Sequence, residues 1–124
     1  MKDNRFVKGR IKSVTYSVIG AYKLVTSEHS IIVQFCIGLA VTAAGFYFNI
    51  SGTEWMIQTM AIGMVMAIEG ANTAVEKICD FIHPKFNEKI GFIKDIASGA
   101  VFFAAVAAIV VGAIIYSPKV ALLF

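Results

Sequence analysis

Glu69, Asn72, Glu76 and Asp80 follow one another at spacings of three, four and four residues. At about 100° per residue of α-helix these positions fall within an arc of about 80°. One helix face thus carries a carboxylate, an amide and two further carboxylates. Such a row can move a proton, hold a hard cation through oxygen, or face the phosphates that Mg²⁺ brings with it. It can also be a hydrogen-bond network that binds helices together. Glu28, Lys94 and Asp95 each precede a long apolar run, and the topology argued below puts all three at the depth of Glu76. Each alone reads as an interfacial charge that snorkels toward water. Together at one depth they read as a site, with carboxylates for Mg²⁺ and a lysine for phosphate.

The elements that position this row belong to a membrane protein. The 124 residues are 58% hydrophobic and 15% charged, with a mean hydropathy of +0.77, against roughly 45–50% apolar and about 25% charged in soluble chains. There is room for a single unit covering residues 1–124. Ser30 to Thr53 and Ile96 to Pro118 contain no Asp, Glu, Lys or Arg, and Trp55 to Val75 contains only Glu69. About 20 apolar residues cross the hydrocarbon core, so the pattern predicts three transmembrane helices near 31–50, 55–78 and 96–116. An acidic residue inside a span costs at least ~2.5 kcal/mol on insertion scales. Glu69 would lie ~21 Å along its helix from Trp55, still within the membrane, which makes it the residue most in need of an explanation.

Basic residues fix the orientation. Lys2, Arg5, Lys8, Arg10, Lys12 and Lys23 precede the first span, and Lys77, Lys85, Lys89 and Lys94 lie at or between the second and third. The loop from Asn49 to Glu54 has none, and the tail has only Lys119. The positive-inside rule therefore predicts a multi-pass protein of the cell membrane with its N-terminus and its second connection in the cytoplasm. Val7, Ile11, Val14, Val18, Ala21 and Val25 recur at helical spacing, which predicts an amphipathic surface helix over about 5–26. In the third span Ala100, Ala104, Ala108 and Gly112 form a small-residue stripe, the kind that lets helix backbones approach in lipid.

Several function classes drop out. Cys36 and Cys79 form no CxxC, and His29 and His83 lack zinc-ligand spacing. No GxxxxGK[ST] or GxGxxG is present. The net charge of +3 comes from residues flanking apolar runs rather than a basic stripe interleaved with aromatics, so no nucleic-acid partner is expected. Met56, Met60 and Met64 suit a core or lipid face. The D-G-x-x-A-R run of phosphatidyl-alcohol transferases is missing. The competing reading of the carboxylate row is a nonenzymatic oligomeric ion or proton pathway.

Glu69-Gly70-Ala71-Asn72-Thr73-Ala74-Val75-Glu76-Lys77-Ile78-Cys79-Asp80 resembles the E-x-x-N-[ST]-A-[hydrophobic]-E-x-x-[hydrophobic]-D signature of the prokaryotic diacylglycerol kinase family, which includes undecaprenol kinases. Ile93-Lys94-Asp95-Ile96-Ala97-Ser98-Gly99-Ala100-Val101 resembles the family's second motif, and the likeness covers nearly the whole chain. It implies a homotrimer with cytoplasmic-side active sites shared between neighbours, transferring the γ-phosphoryl group of MgATP to a lipid hydroxyl. By position, Glu69 matches the catalytic carboxylate, and Glu28 and Glu76 match the metal ligands. Asn72, Lys94 and Asp95 match nucleotide-site and catalytic-site residues. Arg10 and Tyr16 match residues that reach ATP from the surface helix, and Ser98 a position near the lipid. Gln34 stands where some members have an acid, and Lys85 and Asn87 where acid and histidine are common. These departures concern the adenine side, not the phosphoryl-transfer set.

Overall fold

A computed structural model describes residues 2–124 as four helices: α1 Lys2–Ser27, α2 His29–Tyr47, α3 Gly52–Ile82 and α4 Glu88–Ala121. No strand occurs among the described residues, which bears out the all-helical expectation. The breaks have local causes. Glu28 adopts an extended conformation, φ −109° and ψ 117°, and separates α1 from α2. Asn49 has φ 51°, a left-handed turn conformation that Asn tolerates, and it ends α2. Ser51 and Glu54 then form a capping box, the Ser51 hydroxyl accepting from the Glu54 N–H and the Glu54 carboxylate from the Ser51 N–H. Two orphan donors at the start of α3 are satisfied in this way. Asn87 caps α4 by accepting from the Lys89 N–H at 2.9 Å. The helix then runs on through Pro118, past the expected end near 116.

α2 and α4 are long and apolar enough to cross a membrane. α3 is long enough but more polar, because Gln58, Glu69 and Asn72 interrupt its apolar run. Those polar residues turn inward: Gln58, Glu69 and Thr73 are buried. Gln58 finds partners there in the Val41 carbonyl and the Tyr116 hydroxyl. The methionine row falls on the opposite side, with Met56 and Met60 exposed.

α3 and α4 form the central hairpin, and α2 leans on α3. Toward the α2–α3 connection the Tyr116 hydroxyl donates to the Gln58 amide oxygen at 2.5 Å and lies 3.2 Å from the Val41 carbonyl oxygen. The Gln58 amide nitrogen donates to the same carbonyl at 3.3 Å. Lys119 pairs with Glu54 at 2.7 Å. Gly45 lets the Trp55 ring close on α2, since a Cβ there would stand 2.7 Å from Trp55 Cη2.

The Lys119 hydrogen bond, aided by the capping contacts of Ser51, holds the Glu54 carboxyl below its ordinary range. A carboxylate lowered on folding stabilises above its unfolded pKa of about 4.3, and that contribution fades as pH falls through the lower folded value. Between pH 5 and 3 the melting temperature is therefore expected to drop more in the parent than in Lys119→Met, measured in the same detergent. Equal drops would show that the pair contributes nothing.

Ala104 of the small-residue stripe is buried within the protomer, while Ala108 and Gly112 are half-buried and Ala100 is exposed. Ala104→Leu is expected to cost about 1–3 kcal/mol by overpacking, read as a lowered melting point or loss of assembly. An unaltered melting point would show that the neighbours of Ala104 accommodate the larger side chain without cost.

Candidate active site

The row read from the sequence lies on α3, and its exposure grades along the helix. Glu69 is 7% exposed, Asn72 half-buried, and Glu76 and Asp80 exposed. The Glu69 carboxylate makes no hydrogen bond or ion pair within the structure among the described residues. One turn on, the Asn72 amide nitrogen donates to Glu76 Oε1 at 3.3 Å, while Asn72 Oδ1 is buried and without a partner. Buried polar groups are paired in the great majority of cases. Asn72 Oδ1 is the exception among the described residues, and it lies one turn from the Glu69 carboxylate.

Glu28 and Lys94 both reach the last turns of α3. Glu28 occupies the N-cap position of α2, yet its side chain caps nothing. It pairs instead with Lys77, the residue after Glu76 in the chain, at 3.0 Å. Lys94 of α4 pairs with Asp80 at 2.6 Å. The partner of Lys94 is thus not its chain neighbour Asp95 but Asp80, one turn beyond Glu76 and across the α3–α4 connection. That hydrogen bond keeps the Lys94 pKa above its ordinary value, reinforced by the charge of Asp80 and, further off, of Glu76. Lys94 thus stays cationic throughout the neutral range.

Asp95 is exposed and lines, with Lys94, Asp80, His83, Lys85 and Asn87, a cleft of about 330 Å³ at the α3–α4 connection. Ser98, also exposed, lies one turn further along α4. Glu69, Asn72, Glu76, Glu28 and Lys94 are therefore gathered on or against the last turns of α3, with Asp95 and Ser98 following on α4. Arg10 and Tyr16 are not gathered there. Both are exposed on α1, ~27 Å and ~18 Å along the helix from Glu28. The Arg10 guanidinium lies over the Phe6 ring, 5.1 Å from its centroid, and the Lys12 ammonium 5.8 Å from that of Tyr16.

Sequence reasoning missed Lys77 as the partner of Glu28, although its place directly after Glu76 was a signal. It also missed the buried Thr73, one turn beyond Glu69. No group of three or more His, Cys, Asp or Glu side chains gathers as a metal cage among the described residues. The donors nevertheless fit Mg²⁺, which is usually held by one or two carboxylates with substrate phosphates and water rather than by an all-protein cage. Glu76 and Glu28 would be those carboxylates.

Residues 15–116 match the profile of the prokaryotic diacylglycerol kinases. The chain belongs to that family. The family is one of lipid kinases, and its members include relatives similar to this chain over most of its length. An undecaprenol kinase of Bacillus subtilis (strain 168) is 33% identical over 119 residues, covering 95% of this chain and 97% of that protein. A diacylglycerol kinase of Synechocystis sp. (strain ATCC 27184 / PCC 6803 / Kazusa) is 27% identical over 107 residues, covering 86% of this chain but 61% of that longer protein. In this family member the signature runs from the buried Glu69 to the Lys94-bound Asp80.

Proposed function

We propose that this family member transfers the γ-phosphoryl group of MgATP to the hydroxyl of a membrane lipid, undecaprenol or diacylglycerol, with polyprenol the preferred acceptor. The observation that carries the reading is Glu69, a residue 7% exposed whose carboxylate makes no hydrogen bond among the described residues, one turn from the Asn72–Glu76 pair and its buried, unpartnered Asn72 Oδ1. Glu69 to Glu76 spans ~10 Å of helix, so phosphates held at Glu76 would meet a lipid hydroxyl lying slightly deeper. Glu69 orients or deprotonates that hydroxyl. The hydroxyl oxygen then bonds to the γ-phosphorus as the bond to the β–γ bridging oxygen breaks, and ADP leaves.

When bound, Mg²⁺ supplies charge neutralisation on the phosphates, with Glu28 and Glu76 as its protein ligands. Lys94, fixed by Asp80, adds a second positive charge. Asp95 acts electrostatically on the same cleft, and Ser98 lies toward the lipid. Phosphoryl transfer depends on such positioning and neutralisation more than on covalent chemistry.

In this reading α2, α3 and α4 each span the cell membrane, α1 lies on its cytoplasmic face, and three chains assemble. The exposed apolar side chains of Val7, Ile11, Val14 and Val18 on α1 suit the headgroup region. Arg10 and Tyr16, too far along α1 to reach their own protomer's Glu28, suit a site shared with a neighbour. The acceptor preference follows the more extensive likeness to the undecaprenol kinase and is tested by competition. In one mixed micelle containing both lipids, label from ATP is expected in both, with more in the polyprenol. Exclusive labelling of diacylglycerol would reverse the preference and leave the kinase reading standing.

A further inference from the structure

Between α2, α3 and α4 runs a groove of about 350 Å³, with walls apolar apart from Gln34 and Gln58. The Gln58 amide is committed on both sides, donating to the Val41 carbonyl and accepting from Tyr116. It therefore makes little demand for a polar ligand. On the α4 side the groove is bounded by Ala108 and Gly112. A Cβ built at Gly112 would meet nothing within 4 Å, so this side has free width. The opposite wall is tight, since a Cβ at Gly38 would stand 3.1 Å from Ile62 Cγ2.

The groove reaches Val65 and Met66 on α3. Val65 is one turn before Glu69, ~6 Å away on the same face. Val65, Glu69 and Thr73 form one buried row, so the row that walls the groove carries the unpartnered carboxylate. Two of the helices that wall the groove, α2 and α4, are apolar enough to sit in hydrocarbon, and its lining offers water few partners. We propose that this groove seats the hydrocarbon chain of the acceptor lipid, and that Ala108 and Gly112, by their small size, set the width of chain it admits. The assignment rests on the lipid-kinase reading for what stands at the Glu69 end. A methyl-branched polyprenyl chain is wider than a straight acyl chain and uses the space beside Gly112. A larger side chain there would fill that space without striking the protein.

The test compares the parent chain with Gly112→Leu and Ala108→Leu in one detergent, using a polyprenol, a long-chain diacylglycerol and a short-chain diacylglycerol as acceptors. The ratio of kcat/KM for polyprenol to that for the short-chain acceptor is expected to fall about tenfold, toward the lower end of what a methylene decides in an apolar pocket. The straight long chain should lose less, and KM for MgATP should hold. In parallel, a long-chain alcohol with a diazirine near its tail is photolysed on the parent protein and its adducts mapped. Adducts are expected at Ala108 and Gly112 rather than at the exposed Phe103 and Ile114. Equal losses for all acceptors, no loss, or adducts spread over Phe103 and Ile114 would overturn the proposal. A changed oligomer size in both variants, with no groove adducts, would overturn it in favour of a second copy filling the groove. Groove adducts without phosphoryl transfer by the parent would support chain seating and sink the kinase reading.

Discussion

Glu69→Gln is expected to cut phosphoryl transfer by roughly 10²–10⁴-fold, the range a positioned acid or base contributes, while MgATP still binds. The substitution keeps the shape of the side chain and removes the charge. Nothing in the protomer depends on that charge, since the Glu69 carboxylate has no partner among the described residues. Folding is therefore expected to survive, with a melting point within a few degrees of the parent. A structural role predicts the opposite pattern, in which the melting point falls and turnover per folded molecule holds. Single-turnover transfer and nucleotide binding, measured on one preparation, separate the two. Near-normal turnover would make Glu69 a packing residue.

Glu76→Gln and Glu28→Gln are each expected to raise KM for MgATP by at least the roughly 10–100-fold that loss of a metal's outer-shell partner brings. Higher Mg²⁺ should recover part of the loss in at least one of them. The two differ in their surroundings. Glu76 accepts from Asn72, so Glu76→Gln also disturbs the amide beside the orphaned Asn72 Oδ1. Glu28 pairs with Lys77, so Glu28→Gln leaves that lysine without its partner at an exposed site, where an ion pair is worth little. A fall in MgATP affinity in Glu28→Gln therefore reports on the metal rather than on the fold. Unchanged affinity in both variants would remove the metal role from this pair.

Much of this arrangement is legible in the sequence, because helical periodicity and membrane energetics are local and strong. The spacing from Glu69 to Asp80 places four polar residues on one face of α3, and the apolar runs locate α2 and α4. What the sequence conceals are contacts between elements. Lys94 is adjacent to Asp95 in the chain, yet it bonds to Asp80, because the α3–α4 connection folds the two helices side by side. The polar contacts of α3 likewise hide its place in the bundle: Gln58 lowers its hydropathy but is buried against Val41 and Tyr116.

Ser51, Glu54, Tyr116 and Lys119 lie at the start of α3 and the end of α4. In the structure Ser51 and Glu54 cap α3, Glu54 binds Lys119, and Tyr116 binds Gln58. These contacts give the residues a structural task near the α2–α3 connection, far along α3 from Glu69. They therefore carry no weight on the choice of acceptor, which is better sought in the groove bounded by Ala108 and Gly112.

The central claim is that the carboxylate row serves phosphoryl transfer rather than ion or proton movement. The direct measurement is transfer of label from γ-labelled ATP to extracted membrane lipid by the purified chain, with and without Mg²⁺. Mg²⁺-dependent label is expected in a lipid phosphate, lost in Glu69→Gln. Unlabelled lipid, together with ion or proton flux through vesicles that Glu69→Gln abolishes, would contradict it.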